Sequence, residues 1–329
     1  MVETMEAAVL AGDRDAYLAL IDLTDPVFAT EHGRFADDWI ANPPASYDLS
    51  IADVVAAGST ATGILSATWV TGPNDERNAE TAVRFTQSGG IWRYAGEDWV
   101  TQDVEHFRIH VAPGLEGERP AITESLPEIY DYVTTHFEWV PTTDMEIKLY
   151  AGPAEMVATI WLSLPDIRGW NEPGEALKLA FDPERPSLTS TIAHEFTHFL
   201  EFDRAGTQRS RMPWWLSEGI ASYFGYHYDD TGVAQFQLDR VREWAATGEL
   251  ADWEAMNVFE ETPLELWTNV YAQGYVFTAF VTDTYGETER NSWLAAMAVD
   301  SDIAEATQEI LGVSFADLDA QFVEWLSEG

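Results

Sequence analysis

The sequence predicts a mixed α+β protein built from two domains. Its 329 residues exceed the length of one ordinary domain. Hydrophobic residues make up 46% of the chain and aromatic residues 13%, which is enough apolar material for a large core. The first hundred residues or so combine helical and strand-like patterns, whereas the last third is mostly helical. We place the domains at residues 1–101 and 102–329.

The first domain is expected to begin with helices and to continue with strands. Apolar residues recur at helical spacing between residues 5 and 21, and a second helix is predicted at 27–39. Asn42-Pro43-Pro44 ends that helix because proline cannot continue it. Strands are predicted at 47–55, 60–70, 79–87 and 91–94, and Ser88-Gly89-Gly90 indicates a hairpin turn between the last two.

The second domain follows a junction at residues 98–104. The segment FRIHV at 107–111 predicts its first strand, and apolar residues at helical spacing predict a helix at about 121–137. Further strands are predicted at 145–150 and at 176–181. The remaining pattern is mostly helical.

The charge of the chain excludes two classes of partner. There are 57 Asp and Glu residues against 17 Lys and Arg, which gives a formal net charge of −40. Nucleic acids and anionic membrane surfaces both need a basic footprint, so we expect neither as a partner. No apolar run is long enough to span a bilayer. Only two of the bases are lysines, and either a salt-loving source or an arginine-favouring genome explains that bias.

The chain contains no cysteine, so any metal must be held by His, Asp or Glu. The first residues, MVETMEAAVLAGDRD, lack the basic and apolar regions of a secretory signal. We therefore expect either a cytoplasmic protein or one whose leader has been removed, and in the second case an extracytoplasmic or secreted location. The sequence does not indicate the oligomeric state.

Residues 190–200, STIAHEFTHFL, contain the pattern H-E-x-x-H at His194, Glu195 and His198. On a helix the two histidines are one turn apart, so both imidazoles project from one face and can bind one Zn²⁺. Glu195 lies about 100° further round the helix, where it can take a proton from water instead of binding the metal. For this motif alone, a surface helix with a histidine pair is the alternative interpretation.

The next segment, PWWLSEGIASYF at 213–224, offers a third ligand on a predicted helix. Glu218 follows His198 with 19 residues between them. Catalytic zinc sites have three protein ligands and one open position, and two histidines with one carboxylate satisfy that number. Trp214 and Trp215 come just before the glutamate, and their rings either line a cleft or, as we expect, pack in a core.

HEFTH followed by WLSEGIASYF resembles the gluzincin metallopeptidases, the thermolysin-like and M1-aminopeptidase-like group, and most of all their peptidase MA-like family. The resemblance extends to NVYAQGYVFTAFVTDTYG at 269–286 and to LGVSFADLDAQFVEWL at 311–326. It covers roughly residues 104–329. It implies a small mixed sheet, a zinc helix and a mostly helical C-terminal part.

The resemblance implies one Zn²⁺ per chain, bound by His194, His198 and Glu218. Glu195 would be the general base in the hydrolysis of a peptide bond. Chemistry alone proposes the same roles, because zinc lowers the pKa of a bound water and a nearby carboxylate can accept its proton.

Two further positions depend on the resemblance. The family uses a Tyr or His after the third ligand to stabilise the oxyanion, and Tyr271 is the first choice, with Tyr275 and His227 as alternatives. Core packing explains either tyrosine equally well. Thermolysin-like relatives also carry a carboxylate one turn after the glutamate ligand, where this chain has Ser222. An orienting carboxylate must therefore come from elsewhere or be absent.

The resemblance also implies that an extended substrate pairs with an edge strand before the zinc helix. The strand at 176–181 is in that place, so Ala176, Leu177, Lys178 and Leu179 are the predicted substrate-binding residues. The segment GWNEPG at 169–174 does not match the G-x-M-E-N element of M1 aminopeptidases, although Glu172 or Glu175 could serve as its glutamate. An endopeptidase acting on peptides or proteins is therefore favoured.

The segments VRF at 83–85 and GIWRY at 90–94 resemble the closing strands of the NTF2-like (SnoaL-type) cone fold. This resemblance covers roughly residues 1–100 and implies an accessory domain, because its one histidine, His32, has no evident acid–base partner. It also leaves an alternative function open, a structural or inactive zinc site in a binding module that acts through this domain. Glu195 favours catalysis, because a structural zinc site has no use for a base.

Overall fold

The computed structural model describes residues 1–328 except 74, 185–186, 207–210, 230 and 300. The chain is a mixed α+β protein that divides into two compact units. The first unit is formed by Met1–Thr123 and Met145–Pro186, and the second by Glu124–Asp144 and Ser187–Gly329. The predicted domains, 1–101 and 102–329, stay a prediction beside these contact-defined units.

The first unit combines helices with two sheets. In chain order its elements are α1 (Val2–Ala11), α2 (Arg14–Leu18), α3 (Pro26–Ala41), β1 (Ser46–Ala57), β2 (Thr60–Val70), β3 (Glu76–Ser88), β4 (Ile91–Glu97), β5 (Val100–Val104), β6 (Phe107–Val111), the start of α4 (Arg119–Phe137), β7 (Met145–Tyr150), α5 (Pro153–Val157), β8 (Gly169–Trp170) and β9 (Leu177–Ala180). The helix predicted at 27–39 is confirmed as α3. Asp25 caps its N-terminus by accepting from two backbone N–H groups, and Pro26 occupies the first turn.

The first sheet is antiparallel, with its strands in the order β1-β2-β3-β4. The strands predicted at 47–55, 60–70, 79–87 and 91–94 are confirmed, with ends that differ by a few residues. The predicted hairpin turn is also present, since Ser88 pairs with Ile91. Gly89 and Gly90 have φ values of 61° and 78°, which glycine adopts without steric cost.

The second sheet has the order β5-β6-β7-β9-β8, and β6, β7 and β9 are parallel. β5 pairs with β6 in an antiparallel hairpin, in which Val104 lies opposite Phe107. The interpretation of residues 98–104 as a plain junction is therefore wrong, because most of this segment is a strand. Its alternation is short and leads directly into the next strand, so it resembled a connection.

The prediction of an edge strand at residues 176–181 is wrong. β9 has a neighbour on each side, and β8 lies outside it, with Gly169 opposite Leu179 and Trp170 opposite Lys178. The four predicted substrate-binding residues, Ala176, Leu177, Lys178 and Leu179, are fully buried. A two-residue strand such as β8 has no periodicity that a sequence pattern could reveal. A substrate strand cannot pair with β9 as predicted, because both of its edges are occupied by β7 and β8.

The second unit is mostly helical, as predicted. Besides the rest of α4 it contains α6 (Thr189–Ala205), α7 (Trp214–Tyr228), α8 (Val233–Thr247), α9 (Trp267–Tyr285), α10 (Glu287–Val299), α11 (Ile303–Ala306) and α12 (Phe315–Ser327). Aromatic rings fill its core, where Trp215 packs against Trp253 and Phe277. No helix among the described residues is long and apolar enough to cross a membrane.

Candidate metal centre

Helix α6 carries the two histidines on one face. His194 and His198 are one turn apart, and their ring centroids are separated by 4.9 Å. Ile192, Phe196 and Leu200 are buried on the same helix and anchor it in the core of the second unit. The side chains of the two histidines are 16% and 8% exposed, so they reach solvent only slightly. The helix therefore holds both imidazoles in a largely enclosed position.

Helix α7 brings Glu218 against these histidines because glycine lets the two helices approach closely. A Cβ on Gly225 would stand 2.8 Å from the backbone oxygen of Ser190 in α6, which no side chain tolerates. The Ser190 hydroxyl donates to the Gly225 carbonyl at 2.9 Å across the same contact. The register of α7 on α6 then places Glu218, two turns before Gly225, beside the imidazoles.

The three side chains converge on one point. Glu218 Oε2 lies 3.2 Å from His194 Nε2 and 3.5 Å from His198 Nε2. One ligand atom from each residue lies within 4.8 Å of the others, and no other such group of His, Asp or Glu is found among the described residues. For bond lengths near 2.1 Å, tetrahedral geometry separates two ligands by roughly 3.4 Å.

The donor set fits zinc. Two imidazoles and one carboxylate are borderline and hard ligands of the kind that Zn²⁺ takes in catalytic sites. Glu218 Oε2 is buried and has no partner in hydrogen-bond geometry among the described residues, although both imidazoles are near it. A buried carboxylate oxygen without a partner is costly, and a cation between it and the imidazoles satisfies it.

Burial and mutual charge govern protonation in this cluster. Burial alone would raise the pKa of Glu218, but the adjacent imidazoles outweigh it and hold this pKa far below its usual value. Burial alone would lower the pKa of His198, but the carboxylates of Glu218 and Glu201 outweigh it and raise this pKa well above its usual value. The glutamate is thus ionised, and its charge attracts a cation to this position.

Glu195 is 6% exposed and lies next to the first histidine on α6. Burial raises its pKa, and the negative charge of Glu218 adds to that effect, while the imidazoles oppose it. A carboxylate with a raised pKa is a better proton acceptor than an exposed one.

Tyr271 on α9 lies closest to the cluster among the three candidates for oxyanion stabilisation. Its ring centroid is 6.2 Å from that of His194 and 6.4 Å from that of Trp214. Burial and the charges of Glu218 and Glu195 raise its pKa well above the usual value, so the hydroxyl keeps its proton. The hydroxyl is also within hydrogen-bonding reach of Glu218.

The two alternatives lie in a separate aromatic group. Tyr275 packs against the rings of Tyr226, at 5.2 Å, and His227, at 5.9 Å. The His227 ring stacks on Tyr223 at 4.1 Å, and its Nδ1 hydrogen-bonds to the backbone oxygen of that residue. These contacts give both residues a packing role.

Trp214, Ser217 and Glu201 lie around the ligands, and none of them was assigned that role from the sequence. The Trp214 indole donates to Glu218 Oε1 at 3.0 Å. The Ser217 hydroxyl donates to Glu201 Oε2 at 2.6 Å and lies 3.2 Å from His198 Nδ1. Ser222, at the position where a family carboxylate was sought, is fully buried. The sequence held one signal, since Glu201 is three residues after the second histidine and shares its helix face.

The carboxylates considered as substrate-amine ligands are bound to bases of the first unit. Glu175 is 7% exposed and accepts from Lys178 at 2.6 Å and from Arg34 at 2.9 Å. Glu172 lies 3.7 Å from the same arginine. Glu175 is thus paired with two bases inside the first unit.

No family model and no curated protein matches the chain. Solved structures similar to it include yeast LTA4 hydrolase in complex with bestatin, at 15% identity and a TM-score of 0.42, over 78% of this chain and 41% of that one. A two domain M1 zinc metallopeptidase mutant bound to L-arginine matches at 14% identity and a TM-score of 0.39, over 87% of this chain and 62% of that one.

A SEC-C motif containing protein from Rhodopseudomonas palustris matches at 18% identity and a TM-score of 0.23, over 29% of this chain and 71% of that one. The chain spans less than two thirds of the length of LTA4 hydrolase and of the M1 zinc metallopeptidase. At such TM-scores these likenesses carry no argument, and the interpretation of the site depends on its own geometry.

Proposed function

We propose that the chain is a zinc-dependent peptidase in which His194, His198 and Glu218 bind one Zn²⁺ and Glu195 is the general base. One observation carries the proposal: three ligand atoms of suitable chemistry lie within 4.8 Å of one another. A buried carboxylate follows the first of these ligands directly in sequence. When bound, zinc supplies Lewis acidity, which lowers the pKa of water and polarises a carbonyl group.

The residues of the chain would then manage the protons and the developing charge. Glu195 takes a proton from the attacking water and delivers it to the leaving amine nitrogen. The Tyr271 hydroxyl donates a hydrogen bond to the carbonyl oxygen as that oxygen becomes negative. Trp214 holds Glu218 Oε1 and so leaves Oε2 for the metal. We propose peptides or proteins as substrates, cleaved internally.

The test compares zinc-loaded wild-type protein with the Glu195→Gln variant on a mixed peptide library, with cleavage products identified by mass spectrometry. Because general acid–base catalysis contributes roughly 10²–10⁴-fold, we expect cleavage to fall by that factor in the variant. Glutamine has nearly the shape of the glutamate that it replaces, so bound zinc, measured by elemental analysis, is expected to remain at one ion per chain.

The matched control is Glu243→Gln, which changes an exposed glutamate on α8 in the same chemical way. We expect it to cleave like the wild type. Bound zinc together with equal cleavage by wild type and the Glu195→Gln variant would contradict the proposal. Bound zinc with no cleavage of any peptide would instead favour a structural or inactive site in a binding protein.

A further inference from the structure

A chain of two polar side chains lies behind His198, on the side of the ring away from Glu218. Ser217, the residue before the glutamate ligand on α7, places its Oγ 3.2 Å from His198 Nδ1. The same hydroxyl donates to Glu201 Oε2 at 2.6 Å. Glu201 is 3% exposed, and its Oε2 is 3.9 Å from His198 Nδ1, too far for a direct hydrogen bond. The serine therefore bridges the carboxylate and the imidazole.

The hydrogen bonds between Glu201, Ser217 and His198 determine which ring nitrogen of His198 carries the proton. A serine hydroxyl has one proton, and here that proton goes to the carboxylate. Ser217 Oγ can then only accept from His198, so Nδ1 must carry a proton. In a neutral imidazole the other nitrogen, Nε2, is then unprotonated. Its lone pair is on the side of Glu218 Oε2, which lies 3.5 Å away.

We propose that Glu201 and Ser217 are positioning residues that hold His198 in the tautomer and orientation in which Nε2 can bind the metal. The inference rests on the proposed metal site, because positioning has a purpose only if that nitrogen is a ligand. It supplies the orienting carboxylate that Ser222 cannot provide. The carboxylate comes from the zinc helix itself, one turn after His198, and acts through a hydroxyl of the neighbouring helix.

The bridge also couples the two ligand-bearing helices. Ser217 and Glu218 are consecutive on α7, and His198 and Glu201 are both on α6. Any shift of α7 along α6 that moved the glutamate ligand would also break the hydrogen bond to the histidine ligand. The arrangement therefore links the position of one ligand to the protonation pattern of another.

The first test measures Zn²⁺ affinity by competition with a chromophoric chelator, using metal-free protein. Loss of a group that orients a ligand typically costs 10–100-fold in metal affinity, and we expect a loss of that size for Ser217→Ala. Ser217→Thr keeps the hydroxyl and should restore most of the affinity. Glu201→Gln removes the charge that fixes the direction of the serine proton, and should weaken binding about tenfold.

The matched control is Ser190→Ala. It also removes a hydroxyl that links α6 to α7, at the Gly225 carbonyl, but it touches no ligand. We expect its zinc affinity to stay within about twofold of the wild type. If Ser190→Ala weakens binding as much as Ser217→Ala, the effect is general loosening of the helix pair and the inference is overturned.

A second measurement examines the hydrogen bond between His198 and Ser217 with zinc bound. Imidazole nitrogen chemical shifts of ¹⁵N-histidine-labelled protein report which ring nitrogen binds the metal and which carries the proton. We expect His198 to bind through Nε2 with its proton on Nδ1 in the wild type, and to become a mixture of the two tautomers in Ser217→Ala. A wild type that binds zinc but shares its affinity and tautomer with Ser217→Ala would overturn this inference alone. A wild type that binds no zinc would overturn the proposed function together with it.

Discussion

The two lysines of the chain show how single residues are used in the first unit. Lys148 is 5% exposed and Lys178 is fully buried, and both pair with Glu31 of α3. Burial alone would raise the pKa of Glu31, but the two ammonium groups lower it to about 2. Lys178 also binds Glu175, which in turn binds Arg34. The exposed bases of the described residues are thus arginines, and the lysines serve the interior.

Glu155 is the buried group whose charge should control the pH dependence of stability. The residue is 9% exposed, and burial raises its pKa to about 7. The folded state therefore binds this proton more tightly than the unfolded state, whose pKa is about 4.5. The stabilisation is fully present below pH 4.5 and is lost as the pH rises through 7. The loss amounts to about 3 kcal/mol.

We expect Glu155→Gln to reduce the fall in the free energy of unfolding between pH 5 and pH 8 by about 2–3 kcal/mol. Urea unfolding at pH 5 and pH 8 measures this difference in the free energy of unfolding. Glu76→Gln, which changes an exposed glutamate of β3, is the control and should keep the difference found in the wild type. A free energy of unfolding in the wild type that does not change, or that rises, between these pH values would contradict this explanation.

The metal ligands could be predicted from the sequence because each depends on local spacing within a helix. The pair His194 and His198 follows from the helical period, and Glu218 follows from a second helix with its own motif. Glu201 could have been proposed from its spacing to His198, but Ser217 could not, because its contact with Glu201 and His198 depends on the register of α7 on α6. Lys178 was wrongly predicted to contact substrate. Its burial depends on the strands β7 and β8 on either side of β9, and the sequence does not show that pairing.

At the scale of elements, the contacts of α7 with α6 and with α9 set the position of the ligands, and both contacts depend on glycine. Gly225 allows the first contact, and Gly219 and Gly274 allow the second. On α7, a Cβ at Gly219 would stand 2.5 Å from the backbone oxygen of Gly274 on α9. On α9, a Cβ at Gly274 would stand 2.2 Å from the backbone oxygen of Trp215. These are backbone contacts that no rotamer change can relieve. The same contact holds Tyr271, one turn before Gly274, next to the cluster.

Gly219→Ala should therefore force α7 and α9 apart. We expect a loss of about 1–3 kcal/mol in the free energy of unfolding, as for other overpacked cores, and weaker zinc binding because Glu218 is the preceding residue. Gly117→Ala is the control, since a Cβ there meets nothing within 4 Å. Thermal unfolding with and without zinc measures both effects, and equal stability of the two variants would refute the packing argument.

Elements with a clear apolar period were predictable, and those without one were not. The strands β2 and β7 have the predicted ends, because alternation over six or more residues is visible in sequence. β8 was missed because two residues give no pattern, and β5 was taken for a junction because it leads almost directly into the next strand. The place of β9 inside its sheet depends on β8, so the edge could not be assigned from sequence.

At the scale of the whole molecule, the domains 1–101 and 102–329 stay a prediction. The mixed α+β class follows from the patterns, and it is confirmed. The compact units could not be anticipated, because parallel pairing of β6, β7 and β9 joins residues far apart in sequence. The net charge of −40 is a property of the whole chain, and its field favours attraction of divalent cations to any site that can bind them.

The central claim is that His194, His198 and Glu218 form one zinc site. Crystals soaked in a zinc salt, with diffraction data collected on both sides of the zinc absorption edge, test it most directly. We expect one strong anomalous peak at about 2.1 Å from His194 Nε2, His198 Nε2 and a Glu218 oxygen. A peak bound elsewhere, or none at these three residues under conditions that load the protein in solution, would contradict the claim.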